Sequence, residues 1–203
     1  MSKVITLTGP SGAGKSTLIR EILKCNNAIF NPVVIPKYTT RPPRQNEINT
    51  EKDVIETISI EKLPISCDLV YEQYGVRYGL ELSTIYQVLS EHNSPIVILN
   101  DVRAVEDIRM LFGPIVCSIF LFRESPSFAK HKELAIARGA DDEESARTRF
   151  EKAQGIYRIY IENIHLFDHV ILNHGSRDDL LAQIEKVVSG FIDENCWPLE
   201  SVI

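Results

Sequence analysis

Residues 9–17 read Gly9-Pro10-Ser11-Gly12-Ala13-Gly14-Lys15-Ser16-Thr17 and contain the pattern G-x-x-x-x-G-K-[ST]. The run before them, Val4-Ile5-Thr6-Leu7-Thr8, is apolar and β-branched. The run after them sets Leu18, Ile19, Ile22 and Leu23 at helical spacing. Strand, glycine-rich loop and helix, in that order, make a phosphate cradle. Glycines let successive backbone N–H groups turn inward on an anion, and the helix aims the positive end of its dipole at the same point. Lys15 then reaches the β- and γ-phosphates of a nucleoside triphosphate, and the Ser16 hydroxyl is placed to ligate Mg²⁺. Gly9, Ser11, Gly12, Ala13, Gly14, Lys15, Ser16 and Thr17 are therefore expected to bind ATP.

Outward from this loop the chain alternates strand and helix patterns. Ile96-Val97-Ile98-Leu99, Ile115–Phe122 and Val170-Ile171-Leu172 are near-continuous apolar runs, as suits parallel strands covered on both faces, and Val33–Ile35 is a shorter candidate. Helical stripes comprise Leu82, Ile85, Tyr86 and Leu89; then Val102, Val105, Ile108 and Phe112; then Ala146, Phe150, Ala153, Tyr157, Tyr160 and Ile164. Ser125-Pro126 reads as a helix start, and Ser176-x-x-Asp179 resembles a capping box ahead of Leu180, Leu181, Ile184, Val187, Val188 and Phe191. The pattern predicts an α/β fold, a three-layer α/β/α P-loop NTPase domain with a parallel sheet. Its core would span 1–36, 94–124 and 150–195. The polar, proline-marked stretch 37–93 reads as an insertion with short strands and one helix. A second appendage, about 125–149, contains the polar hinge Arg138–Glu144.

The 203 residues carry 22 Lys+Arg against 28 Asp+Glu, a net charge of −6, with 44% apolar residues. That length buries a full core without staples, as a single domain. The acidic balance argues against nucleic-acid or membrane-surface partners. No apolar run reaches the roughly 18 residues of a membrane span. The start of the chain does not read as a signal peptide. Cys25, Cys67, Cys117 and Cys196 show no Cys-x-x-Cys spacing, so a reduced, cytoplasmic protein is expected. The five histidines show no metal spacing. Asn-Lys-x-Asp and Asp-x-x-Gly, the marks of a GTPase, are absent, and the chain is small for a motor or transporter ATPase. A small P-loop kinase fits best.

The insertion opens with Tyr38-Thr39-Thr40-Arg41-Pro42-Pro43-Arg44. Two arginines in a proline-stiffened loop offer paired forks to a phosphate. Later come Tyr74-Gly75-Val76-Arg77-Tyr78-Gly79 and Arg138-Gly139-Ala140-Asp141-Asp142-Glu143-Glu144-Ser145, with Arg149 beyond. Together with residues 9–17, these motifs resemble guanylate kinases from about residue 3 to 190. The resemblance implies phosphoryl transfer from Mg-ATP to a small phosphorylated acceptor, GMP or another nucleoside monophosphate. It implies that Arg41, Arg44 and Tyr78 hold the acceptor phosphate, and that Lys15 acts with the lid arginines Arg138 and Arg149 on the transferring group. It also implies that Asp101 lies near acceptor and Mg²⁺, and Asn173 near the adenine.

The base-reading positions depart from that family. Leu69 stands where a glutamate is expected, Leu80 where a Ser or Thr follows Tyr-Gly, and Lys37 or Tyr38 displaces a serine. The second tyrosine expected near Asp53 is missing, and Leu134 replaces one lid arginine. Ribose 1,5-bisphosphate phosphokinases, which take a base-free sugar phosphate, are similar at Tyr38-x-Thr-Arg41, at Leu69 and Leu80, and at Asn100-Asp101-Val102-Arg103-Ala104. There Arg103 would serve a second acceptor phosphate, while Arg44 departs from that branch. A third reading is a non-catalytic binding module of guanylate-kinase-like type, which the lost base reader favours and the intact loop 9–17 disfavours. The sequence leaves the oligomeric state open.

Overall fold

The computed structural model describes residues 2–10, 12–25, 30–42, 57–73, 75–123, 128–129, 132–133, 143–174 and 176–192. Five parallel strands form the central sheet: β1 (Val4–Thr8), β2 (Pro32–Val34), β7 (Ser94–Ile98), β8 (Val116–Arg123) and β9 (His169–Asn173), in the order β2-β7-β1-β8-β9. Four more strands, β3 (Lys37–Thr39), β4 (Thr57–Ser59), β5 (Leu69–Gln73) and β6 (Val76–Leu80), form a second sheet in the order β4-β3-β6-β5. The described helices are α1 (Lys15–Lys24), α2 (Leu82–Ser90), α3 (Val102–Phe112), α4 (Glu143–Glu162) and α5 (Arg177–Ile192). The expected α/β fold with a parallel sheet is thus what forms. The second sheet and α2 are the elements of residues 37–93 among the described residues, where short strands and one helix are expected; residues 43–56 lie outside the described residues.

Apolar alternation sorts the helices onto the two faces. Ile5 and Leu7 of β1 point to one face, where Leu18, Ile19 and Ile22 of α1 and Leu180, Ile184 and Val188 of α5 cover them. Val4 points to the other, under Ile85 and Val88 of α2 and Val105, Ile108 and Phe112 of α3. Ala153, Ile156 and Tyr157 of α4 close over Phe120. Each fully buried Ile or Leu contributes roughly 1.5–3 kcal/mol. The caps follow the sequence: Ser176 Oγ accepts from Asp179 N at 3.3 Å, and the Asp101 carboxylate accepts from Ala104 N at 3.0 Å at the start of α3.

β1 lies at the centre, between β7 and β8, so the chain leaves its carboxyl end one way for β2 and later crosses to the other side for β8. This is the switch point where open parallel sheets bind ligands, and residues 9–17 start there.

Some expectations are corrected. Val170 and Leu172 are 37% and 38% exposed, because β9 is an edge strand with only one face covered. Tyr86, expected in the buried stripe of α2, is 51% exposed, its ring against Phe112. Ile164 does not continue the α4 stripe: the helix ends at Glu162, and Ile164 stands exposed in a 3-10 turn. The strand expected at Val33–Ile35 runs from Pro32 to Val34, with Ile35 N still bonded to Ile96 O at 2.9 Å. Cys117 lies buried in the core on β8, its thiol pushed up by burial. Ser125-Pro126 and the tail 193–203 lie outside the described residues.

A polar column crosses the α3 face. Thr6 Oγ1 donates to Ser118 Oγ at 2.9 Å, and Arg109 donates to Ser118 Oγ, Leu166 O and Asp168 Oδ2, the last at 2.7 Å. Asp168 Oδ2 also accepts from Ser118 N at 2.7 Å. Asp168→Ala leaves Arg109 and that N–H short of a partner at once. We expect it to lower stability by about 1–3 kcal/mol in urea denaturation; an unchanged midpoint would show that the column does not stabilise the sheet.

Candidate active site

The loop after β1 is built from glycine geometry. Gly9, Gly12 and Gly14 have φ of 156°, 83° and 110°, where side chains are strained. A Cβ on Gly9 would also stand 2.6 Å from Leu121 O. Gly14 caps α1 in left-handed conformation, and the first helical bond runs from Leu18 N to Gly14 O at 2.9 Å. The N–H groups of Lys15, Ser16 and Thr17 precede that ladder and belong to the orphan donors of a helix start.

Four loop carbonyls are held by side chains. Lys15 Nζ donates to Gly9 O at 2.5 Å and Pro10 O at 2.8 Å. Arg123 donates to Gly12 O at 2.9 Å, and Asn173 Nδ2 to Ala13 O at 2.9 Å. With its amide turned to face acceptors, Asn100 Nδ2 lies 3.2 Å from Gly9 O and 3.1 Å from Leu99 O. In a trans peptide the N–H points opposite the preceding C=O. Holding Ala13 O from the sheet side therefore turns the Gly14 N–H toward the other side, in line with the start of α1. Such a concave run of N–H groups ahead of a helix binds an oxyanion chain.

Ser16 stands in the first turn of α1, half-buried, and Asp101 follows β7, the neighbour of β1. The Ser16 hydroxyl makes no hydrogen bond among the described residues, and the Asp101 carboxylate keeps acceptor capacity beyond its cap to Ala104. A hydroxyl and a carboxylate are hard oxygen donors, the set that Mg²⁺ takes beside phosphates. The residues present thus fit the ion. No cluster of three His, Cys, Asp or Glu side chains that would hold a metal alone occurs among the described residues.

The second sheet meets the core beside Asp101. Gln73 Nε2 donates to Asn100 O at 3.1 Å. Tyr71 and Tyr78, register partners on β5 and β6, stack at 5.2 Å. Lys37 Nζ lies 5.2 Å from the centre of the Tyr78 ring, a cation–π contact. The Tyr71 hydroxyl is buried with no hydrogen bond of normal geometry, and burial pushes its pKa up. Arg41 lies just past β3, half-buried; its N–H donates to Thr39 Oγ1 at 3.3 Å. Leu69 and Leu80 face each other across β5 and β6, 6% and 0% exposed, within the cluster of Ile85 and Leu99.

Of the expected site residues, Gly9, Gly12, Ala13, Gly14, Lys15, Ser16 and Thr17 come together in one loop and helix start, with Asn173 packed against them. Asn173 has a task the adenine expectation did not contain: it holds the Ala13 carbonyl. Asp101 caps α3 just past β7, Tyr78 lies on β6 of the second sheet, and Arg103 is exposed in the first turn of α3. Ser11, Arg44 and Arg138 lie outside the described residues, as does the side chain of Arg149 on α4. Arg123 was missed by the sequence reading. It ends an apolar strand, and only its register pairing with Asn173 brings it to the loop.

Comparison with known proteins agrees with this geometry. The family model described as guanylate kinase matches residues 1–190. A guanylate kinase of Clostridium tetani is 28% identical over 200 residues, covering 95% of this chain and 86% of that protein. Guanylate kinase 1 of Oryza sativa subsp. japonica is 31% identical over 195 residues, 91% of this chain and 46% of that one. The crystal structure of guanylate kinase from Anaplasma phagocytophilum shares the fold, with a TM-score of 0.61 at 18% identity, over 96% of this chain and 88% of that one. No helix among the described residues is long and apolar enough to cross a membrane.

Gly9→Ala tests the loop. The added Cβ would stand against the Leu121 carbonyl at a strained φ, so we expect Mg-ATP affinity to fall at least about tenfold, the equivalent of ~1.4 kcal/mol. Calorimetric titration reads this directly, and wild-type affinity in the variant would refute the role given to the glycine.

Proposed function

The chain belongs to the guanylate kinase family and is a P-loop kinase, and we propose that it moves the γ-phosphoryl group of Mg-ATP to a small phosphorylated acceptor, GMP or another nucleoside monophosphate. The observation that carries this is the loop itself: four of its carbonyls are held, those of Gly9 and Pro10 by Lys15, that of Gly12 by Arg123 and that of Ala13 by Asn173, which leaves the N–H groups at the start of α1 for an anion.

The chemistry is alignment and charge stabilisation. The N–H groups of residues 14–17 grip the β-phosphate, and the Lys15 ammonium bridges to the γ-phosphate. Ser16 and Asp101 hold Mg²⁺, which when bound offsets charge on the phosphate oxygens. Arg41, Arg44 and Tyr78 fix the acceptor phosphate, with Asp101 beside them. Arg138 and Arg149 come from the lid to the equatorial oxygens, where charge spreads in the transition state. The core 1–36, 94–124 and 150–195 thereby works with an acceptor insertion, 37–93, and a lid at about 125–149, in a cytoplasmic enzyme.

A second reading takes a base-free sugar phosphate such as ribose 1,5-bisphosphate, with Arg103 toward its second phosphate. Leu69 and Leu80 favour it. They are buried against each other where the family places polar base readers, and a site without polar partners cannot discriminate a base by hydrogen bonds.

ADP release from Mg-ATP with GMP, AMP, UMP and ribose 1,5-bisphosphate separates the readings. GMP or another monophosphate as best acceptor supports the first, and the sugar bisphosphate the second. No turnover with any of them removes both. Lys15→Ala is expected to lower kcat by at least 10²-fold, on the order of 3 kcal/mol, while circular dichroism stays native. Arg41→Ala is expected to raise the acceptor KM roughly tenfold with a smaller change in kcat. An unchanged acceptor KM would displace the clamp from Arg41.

A further inference from the structure

Arg123 is the last residue of β8, the strand beside β1, and it stands at the doorstep of the lid segment. Its guanidinium donates to Gly12 O at 2.9 Å across a sequence separation of 111 residues. The same peptide plane is held at its other end, where Ala13 N donates to Pro10 O at 3.2 Å. Next along the loop, Asn173, the register partner of Arg123, holds Ala13 O. The ends of two neighbouring strands thus fix two consecutive peptide planes. Arg123 is itself fixed from α4: the Tyr157 hydroxyl donates to the Arg123 carbonyl, and the Tyr157 ring packs on Phe122 at 4.5 Å. α4 also carries Arg149.

We propose that Arg123 is a positioning residue for the triphosphate, setting the Gly12–Ala13 peptide so that the N–H groups after it face the phosphates, with Tyr157 coupling this setting to α4. A left-handed glycine has no side chain to restrict its rotation, so Gly12, at φ of 83°, needs an external hold to keep one orientation. A charged donor on its carbonyl supplies one, stronger than a neutral amide would. The inference rests on the proposed binding of Mg-ATP.

Calorimetric titration of the full chain with Mg-ATP tests it, with melting temperature measured in parallel. Wild-type binding is the control: without it the reading of the site fails before Arg123 is at issue. Given that binding, Arg123→Ala is expected to weaken Mg-ATP about tenfold. Arg123→Lys, which keeps a cationic donor, should stay within roughly threefold of wild type. Tyr157→Phe should weaken binding by about threefold in the wild type and by less in Arg123→Ala, since both act on one hold. Unchanged affinity in Arg123→Ala would overturn the proposal. So would equal losses in the Ala and Lys variants that track their melting temperatures, because a merely structural side chain would behave so. If Arg123→Ala does not fold, Arg123→Met, which removes the donor and keeps the apolar stem, takes its place: unchanged affinity in it, or a Tyr157→Phe effect as large in it as in the wild type, would overturn the proposal.

Discussion

The site depends on one constraint, that a glycine-rich loop must show its amides to an anion and its carbonyls to something else. Carbonyl oxygens facing a triphosphate would repel it. Here they are taken up by Lys15, Arg123 and Asn173, with the Asn100 amide beside Gly9. Three of those four side chains come from the ends of β7, β8 and β9 or just past them, so the cradle needs the assembled sheet. The helix dipole adds to the grip only because Gly14 turns the chain sharply into α1.

The same dependence explains what the sequence reveals. Residues 9–17 are legible because their chemistry is local: glycines, a lysine and a hydroxyl at fixed offsets need no partner to be recognised. The core strands and α1, α3 and α5 are legible because burial imposes a period on contiguous residues. Arg123 is not legible, since its meaning lies in a contact 111 residues away. Nor was the exposure of Val170 and Leu172, because position at a sheet edge is a property of strand order, which periodicity does not encode. Asn173 was legible as a matching residue but not by its contact, the Ala13 carbonyl.

The proposed acceptor side divides differently. Its phosphate clamp was read as arginines and a tyrosine in motif spacing, whereas the surround proposed to select the acceptor depends on which face of a small sheet is wet. Leu69 and Leu80 meet across two strands and are sealed beneath α2, so the floor there is hydrocarbon. Tyr71 and Lys37 add an aromatic and a cationic wall around Tyr78. On the proposed reading, recognition in such a surround comes from shape and charge, not from a pattern of donors and acceptors.

β1 pairs with strands far along the chain: Ile5 lies beside Ile96 and Cys117. During translation at 5–20 residues per second, this strand is therefore without its partners for roughly 5–20 s. Through that interval residues 4–8 are an apolar β-branched ribbon followed by an unsupported loop. Competence to bind nucleotide therefore waits for strands about a hundred residues further along the chain, although the motif that confers it is complete well before them.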